Sequence, residues 1–126
     1  MPLSFNNSLP GAVLLAHGSS EPEAASELNA LCRALSAANP KWRFEIAFLN
    51  QEPRLDRAVE NLKAQGCGFI RVLPLLVFAG KHLLQDIPNQ INDLRARHPG
   101  LRLELEPHLY RLAGFPEMLL NALEQT

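Results

Sequence analysis

The chain has 126 residues, of which 47% are hydrophobic and 20% are charged, and its formal net charge is −1. This length and composition are typical of one globular domain with a substantial core, so we predict a single domain over residues 1–126. The near-zero charge excludes a global electrostatic attraction to nucleic acid or to an anionic membrane surface, and we expect neither as a partner.

The cysteines and the N-terminal residues bear on cellular location. Cys32 and Cys67 have neither CxxC spacing nor partners for a disulfide framework. Such usage favours a reducing compartment and excludes a cysteine-ligated cluster built from this chain alone. Residues 1–10 lack the pattern of a signal peptide, and we expect an irregular lead-in there. The apolar run over residues 69–79 is too short to span a bilayer, so we expect a cytoplasmic protein.

Four segments have the pattern of β-strands. Residues 12–16 and most of residues 69–78 are almost continuously apolar, as expected of parallel strands that are covered on both faces. Residues 43–49 alternate in their first half, and residues 101–106 alternate strictly. The alternating segments are therefore predicted to be strands with one partly exposed face.

Four amphipathic helices are predicted to follow the strands. The first begins with capping-box spacing, with Ser20 as the N-cap and Glu23 at the third helical position. The second opens at Glu52-Pro53, the third follows residues 86–88, and the last spans residues 115–123. Their apolar positions recur at helical spacing and are, in chain order, Ala24, Leu28, Leu31, Cys32, Leu35, Leu55, Ala58, Val59, Leu62, Ile87, Ile91, Leu94, Phe115, Met118, Leu119, Ala122 and Leu123.

Burial predicts the order of the strands. The two fully apolar strands should be central and the two alternating strands should be edges, and right-handed crossovers then give the order 2-1-3-4. The predicted fold class is α/β, with a four-stranded parallel sheet and helices on both faces. Ligands of such sheets bind beyond the carboxyl ends of the strands where the order reverses, which is here between the first and third strands.

Two histidines are expected at that place, because His17 follows the first strand and His82 follows the third. Gly18 and Gly80 accompany them and would let a large flat ligand approach the backbone. Neutral imidazole is a ligand for Co²⁺, Ni²⁺, Fe²⁺ and Zn²⁺, and two histidines alone would hold such a metal weakly. The pair therefore suits a metal that must leave again, although a single histidine at a strand end is more often structural.

Four further residues have alternative interpretations. Glu52, just after the second strand, is either a metal ligand or proton acceptor, or an acidic residue in the first turn of a helix. Lys81 is either a cation for carboxylate groups of a ligand or a solvated side chain. His98 and His108 are interpreted as structural or solvated, since they lie at a helix end and in a loop beside a proline.

The motif His17-Gly18-Ser19 after an apolar strand, together with the segment from Pro74 through Gly80-Lys81-His82 to Asp86-Ile87-Pro88, resembles the small CbiX-type sirohydrochlorin chelatases. The segment from Ala47 to Pro53 resembles the second strand and acidic loop of that family, and the similarity covers about residues 12–123. The family inserts a divalent metal into a tetrapyrrole. One departure is that Ser20 stands where family members commonly have an arginine.

The resemblance implies roles for individual residues. His17 would be the proton acceptor and a metal ligand, His82 the second metal ligand, and Glu52 a catalytic and substrate-binding residue. The remaining expected contacts to the tetrapyrrole are Val77, Phe78, Ala79, Gly80, Lys81 and His82. The substrate metal would be Co²⁺, with Fe²⁺ or Ni²⁺ as alternatives, and no tightly bound cofactor is expected.

Two other functions and the oligomeric state were also considered from the sequence. A carrier of tetrapyrrole or metal would keep both histidines but need no base. A histidine phosphatase is rejected because Ala16 precedes His17 where that family has an arginine. The chain resembles one half of two-lobed chelatases, so a homodimer with its interface beside the cleft is expected. Phe78, Leu83 and Leu84 would be ring contacts, dimer contacts or ordinary core.

Overall fold

The computed structural model describes residues 8–125, which form four strands and four α-helices. The strands are β1 (Leu9–Ala16), β2 (Arg43–Phe48), β3 (Cys67–Pro74) and β4 (Arg102–Leu105). The helices are α1 (Pro22–Ala38), α2 (Leu55–Ala64), α3 (Ile87–Arg97) and α4 (Phe115–Glu124). A turn of π-helix (His82–Asp86) runs directly into α3, and a 3₁₀ turn (Leu109–Arg111) precedes α4.

All four strands are parallel and lie in the order β2-β1-β3-β4, which confirms the predicted topology. Leu14 of β1 pairs with Ile46 on one side and with Leu73 on the other. Strand β1 is the most deeply buried, as expected of a central strand. One face of β3 stays partly accessible at Phe69, Arg71 and Leu73, so the expectation that both faces of this strand are covered is wrong.

Alternate residues of β1 enter two separate cores. Val13 and Leu15 point to a large core that is formed with α2, α3 and the other strands. Leu14 points to a smaller core on the opposite face, where Leu28 of α1 and Phe48 of β2 meet it. The helices therefore lie on both faces of the sheet, as predicted from the pattern of the strands.

The predicted helical stripes are buried to different extents. The stripes of α2 and α3 are fully buried, which confirms them, and consist of Leu55, Ala58, Val59, Leu62, Ile87, Ile91 and Leu94. Only Leu28 of α1 is buried. Helix α4 buries none of its residues, and Met118, Leu119, Leu120 and Leu123 are exposed. Among the helices described over residues 8–125, none is long and apolar enough to cross a membrane.

The predicted capping box of α1 is wrong. The helix begins at Pro22, its N-cap residue is Glu21, and no side chain caps it. Pro22 has a fixed φ suited to the first helical position, so it determines where the helix starts. The nearby hydroxyl that does bond to the backbone is that of Ser19, which accepts a hydrogen bond from the Glu21 N–H at 3.0 Å.

Three predicted boundaries also differ. Strand β1 begins at Leu9, inside the predicted lead-in, whose residues 1–7 lie outside the described part of the chain. Helix α2 begins at Leu55, so Glu52-Pro53 lies in the preceding loop. Strand β3 ends at Pro74, and residues 75–81 form an apolar loop although their composition is typical of a strand. Pro74 has no N–H with which to continue the sheet.

We expect Leu62→Ala to lower the free energy of unfolding by about 2–5 kcal/mol, because it leaves a cavity in the large core. Leu62 has no exposed surface and lies beneath Gly11 of β1. Urea denaturation measures the change. Leu84→Ala is the matched control, since Leu84 is 68% exposed and its truncation should cost no more than about 0.5 kcal/mol. Equal losses in the two variants would contradict the assignment of the core.

Candidate metal and tetrapyrrole site

The carboxyl ends of β1 and β3 define one edge of the sheet. The two strands are paired up to Leu15 and Pro74, and the Leu75 N–H donates to the Leu15 carbonyl at 2.8 Å. His17 directly follows β1. His82 follows β3 only after the loop over residues 75–81, so it opens the π-helical turn instead of ending a strand.

The two histidines lie in contact, which confirms the predicted meeting of His17 and His82. Their ring centroids are 5.1 Å apart, with an angle of 65° between the ring planes. A metal about 2.1 Å from one nitrogen of each ring would separate the centroids by roughly 4.5 Å at a right angle and roughly 5.2 Å at a tetrahedral angle. The observed separation is therefore compatible with both imidazoles binding one metal ion.

His82 has one short hydrogen bond. Its Nδ1 lies 2.7 Å from Oδ2 of Asp86, and both side chains are partly buried. The histidine and the aspartate are the first and last residues of the π-helical turn. Asp86 was not among the predicted site residues, because the third helix was predicted to begin after residues 86–88 and the helical turn that joins His82 to Asp86 was not expected.

The surroundings of His17 are different. Its Nδ1 is 3.4 Å from Nδ2 of Asn50 and 3.4 Å from the carbonyl of Gly18. Gly18 has a φ of +109°, and a β-carbon there would clash with Oδ1 of Asn50. The space beside Gly18 is therefore filled by Asn50, and the expectation that it admits a ligand is wrong.

The neighbouring Gln51 holds the same loop. Its Oε1 accepts a hydrogen bond of 3.0 Å from the Ser19 N–H. Asn50 and Gln51 thus attach the loop after β2 to the motif after β1. Neither residue was predicted from the sequence. No sequence pattern identifies an Asn or Gln side chain in a loop that contacts a segment more than thirty residues away.

Glu52 lies at the same edge but is not brought into a ligand set with the histidines. Its side chain is 77% exposed and pairs with Arg54 at 3.5 Å. Within residues 8–125 no group of three or more His, Cys, Asp or Glu side chains is arranged to hold a metal. The alternative interpretation of Glu52, as part of the first turn of a helix, is wrong, because α2 begins at Leu55.

The loop after β3 presents an exposed surface. Every residue from Val77 to Lys81 is exposed, and Phe78 is 69% accessible. The N–H groups of Leu109 and Tyr110 donate to the carbonyls of Leu76 and Val77 at 3.0 and 3.1 Å. The ring of Tyr110 lies 5.8 Å from that of Phe78. Tyr110 thus belongs to this surface, which tertiary contact alone reveals.

The cations at this edge are Lys81, next to His82, and Arg54, in the loop after β2. Lys81 is exposed and pairs with no carboxylate among residues 8–125. Arg54 donates to the Leu49 carbonyl at 3.1 Å besides facing Glu52. Both side chains are accessible to an anionic ligand.

The other histidines and the thiols contribute less. His98 lies at the end of α3, which leads to the amino edge of the sheet, and its Nδ1 accepts a hydrogen bond from Lys63 at 3.1 Å. His108 precedes the 3₁₀ turn. Cys67 begins β3 at the amino edge, and burial raises the pKa of its thiol. Cys67 therefore lies too far along β3 to supply a thiolate ligand at the edge that carries His17 and His82.

The structure is that of a parallel α/β protein with two imidazoles, candidate metal ligands, at the edge of the sheet where such proteins bind ligands. The particular family follows from comparison with known proteins. The CbiX family model matches residues 11–126, and the chain belongs to the CbiX family.

Two relatives have names that specify a reaction. The sirohydrochlorin ferrochelatase of Bacillus subtilis (strain 168) is 34% identical over 88 residues, which are 69% of this chain and 34% of that protein. The sirohydrochlorin cobaltochelatase of Sulfolobus acidocaldarius is 34% identical over 83 residues, which are 66% of this chain and 67% of that protein. The chain therefore spans about one third of the length of the Bacillus relative.

Two solved structures have the same fold. A CbiX protein from Marinobacter aquaeolei VT8 superposes with a TM-score of 0.78 at 28% identity, covering 91% of this chain and 92% of that one. The sirohydrochlorin chelatase SirB from Bacillus subtilis subspecies spizizenii, in complex with cobalt, gives a TM-score of 0.73 at 30% identity. That superposition covers 79% of this chain and 43% of the SirB chain.

We expect Gly18→Ala to destabilise the protein more than the same change at two other glycines. The positive φ alone costs about 1–3 kcal/mol, and contact with Asn50 adds to it. Gly114 has a φ of +90°, but a β-carbon there would meet no neighbouring atom. Gly80 has neither a positive φ nor a neighbouring atom near the place of a β-carbon. Urea denaturation should therefore rank the losses in the order Gly18, Gly114, Gly80. Equal losses at Gly18 and Gly114 would show that the Asn50 contact contributes nothing.

Proposed function

We propose that this chain inserts a divalent metal ion into sirohydrochlorin. The observation that carries the proposal is the contact between His17 and His82 at the carboxyl edge, with ring centroids 5.1 Å apart. Membership of the CbiX family supports it, as do relatives named sirohydrochlorin ferrochelatase and sirohydrochlorin cobaltochelatase. In this scheme the metal is a substrate, and no tightly bound cofactor takes part.

The two histidines bind the metal before insertion. Two imidazoles without a third protein ligand leave most coordination positions to water, which the ring nitrogens can replace. Weak holding of the metal is an advantage here, because a completed protein cage would retain it. Co²⁺ is the first candidate, and the SirB structure in complex with cobalt supports it, with Fe²⁺ and Ni²⁺ as alternatives.

The tetrapyrrole lies against the exposed loop after β3. Val77, Phe78, Ala79 and Gly80 offer an apolar surface, and a β-carbon added at Gly80 would meet no atom within 4 Å, so there is room for a ligand at that residue. Lys81 provides a cation for the carboxylate groups of the ring. Arg54, in the loop after β2, provides a second one.

His17 accepts protons from the pyrrole nitrogens as the metal enters. It is exposed, follows the strand end directly, and has only long contacts to Asn50 and to its own loop. Glu52 is the second base in the proposal, and its exposed carboxylate must leave Arg54 to reach the ring. A base in hydrogen-bond reach of the proton is the requirement for general base catalysis.

A carrier of tetrapyrrole or metal is the second candidate function. It shares the histidine pair and the exposed loop but needs no proton acceptor. The exposure of His17 and its lack of a short hydrogen bond favour the enzyme, since they leave the imidazole accessible to the proton of a bound ring.

We also propose a homodimer whose interface lies beside the cleft. Helix α4 exposes four large apolar side chains, and the groove between it and α1 has a volume of about 420 Å³ and is lined mainly by apolar side chains, among them Leu31, Leu35, Phe115 and Met118. Contiguous exposed apolar surface of this kind is typical of an interaction site. The α4 helix follows the segment of Tyr110, which touches the loop that binds the ring. A second copy would supply the chain length that SirB has beyond the matched part.

A cytoplasmic location is proposed as well. Cys32 and Cys67 are both free, which fits a reducing compartment.

We expect His17→Ala to abolish insertion of Co²⁺ into sirohydrochlorin while binding of the metal-free ring persists, because the loop after β3 supplies most of the ring contacts. The visible spectrum of the tetrapyrrole follows insertion after subtraction of the spontaneous rate, and quenching of protein fluorescence follows binding. His98→Ala is the control, since His98 lies at the opposite edge of the sheet. Equal rates for wild type and His17→Ala would leave the carrier as the remaining function.

The interface is tested by placing charge on α4. Sedimentation equilibrium should show a dimer for the wild type and a monomer for the double variant Leu119→Glu/Leu123→Glu, since both leucines are exposed on this helix. Ala34→Glu puts a single glutamate on the exposed surface of α1 and should leave the dimer intact. A wild type that remains monomeric at all practical concentrations would remove the proposal.

A further inference from the structure

We propose that Asp86 is a positioning residue of the metal site. It holds the His82 ring in one orientation and in the tautomer whose Nε2 lone pair is free for the metal. The role of His82 as a metal ligand rests on the proposed function. The orientation of its ring rests on the hydrogen bond with Asp86.

The protonation pattern follows from the chemistry of the two groups. An ionised carboxylate can only accept hydrogen bonds, and a neutral imidazole has a single N–H. The 2.7 Å separation between Nδ1 of His82 and Oδ2 of Asp86 therefore places the imidazole proton on Nδ1. Nε2 is left without a proton, which is the state that a metal requires.

The backbone fixes the position of Asp86. The wide turn is closed by a hydrogen bond from the Ile87 N–H to the His82 carbonyl, and such π-helical turns are frequent at functional sites. Ile87 follows Asp86 directly and has no exposed surface, because it is part of the large core. The carboxylate is thus attached directly to a core residue, whereas no residue of the turn that contains His82 is buried.

His17 lacks such a partner, which divides the work between the two imidazoles. Its Nδ1 faces a donor on Asn50 and an acceptor on Gly18, each at 3.4 Å, so neither tautomer is favoured by a short bond. An exposed imidazole without a short hydrogen bond can turn toward a substrate proton, which is the requirement for a general base. His82 then serves mainly as the metal ligand and His17 mainly as the base.

The tautomer of His82 is measured directly by long-range ¹H–¹⁵N NMR of the metal-free protein, at a pH where the imidazoles are neutral. The His82→Ala spectrum assigns the signals. We expect the Nδ1–H tautomer in wild type and a shift toward the Nε2–H tautomer in Asp86→Ala, with a smaller shift in Asp86→Asn. Titration with Co²⁺ alone should show a dissociation constant raised about 10- to 100-fold in Asp86→Ala.

Two further variants make the test specific. Asp93→Asn is the matched control, because Asp93 pairs with Arg97 at the same four-residue spacing on α3 at 3.2 Å, and it should leave Co²⁺ binding unchanged. In His82→Ala, adding Asp86→Ala should cause no further loss of Co²⁺ affinity, since Asp86 acts through His82.

The outcomes separate this inference from the proposed function. An unchanged His82 tautomer and Co²⁺ affinity in Asp86→Ala would overturn the positioning role, as would an equal loss of affinity in Asp93→Asn. A shifted tautomer with reduced Co²⁺ affinity would support the role even if the wild type failed to insert metal into sirohydrochlorin, a failure that would count against the proposed function alone.

Discussion

The parallel pairing of β1 with β3 is the constraint on which the site depends. These strands run side by side from Leu9 to Leu15 and from Cys67 to Pro74, and the Leu75 N–H extends the pairing by one bond. Both strands end at the same edge, and the helices that follow them lie on opposite faces of the sheet, so the connections leave a crevice between them. His17 and His82 lie in contact at this edge.

The loops around the site are held by hydrogen bonds as well as by the packing of Leu75 and Leu76 against the cores. Gln51 binds the backbone of Ser19, and the 3₁₀ turn donates two N–H groups to the loop after β3. The residues expected to contact the tetrapyrrole are therefore exposed, although hydrogen bonds hold their loop in place. Exposure of apolar residues such as Phe78 on a supported loop is the property that a planar, partly apolar ligand requires.

Proton transfer and metal binding place different demands on an imidazole, and the two histidines have different surroundings. Asp86, attached to the core through Ile87, makes a short bond with His82. His17 has two long contacts of opposite polarity at the same nitrogen. The hydrogen-bond partners, rather than the two histidines themselves, therefore decide which imidazole suits which role.

The sequence by itself determined the fold class, the strand order and the contact between the two histidines. The spacing of apolar residues along a strand indicates whether one or both of its faces are buried, and this indicates its place in the sheet. Prediction from the sequence failed where proline controls a boundary, at Pro22 and Pro74, and where an apolar segment is exposed to serve as a surface instead of a core. Tertiary structure alone decided the places of Asn50, Gln51 and Tyr110, the filled space beside Gly18, and the pairing of exposed Glu52 with Arg54. These features depend on contacts between loops far apart in the chain, whose side chains follow no periodic pattern.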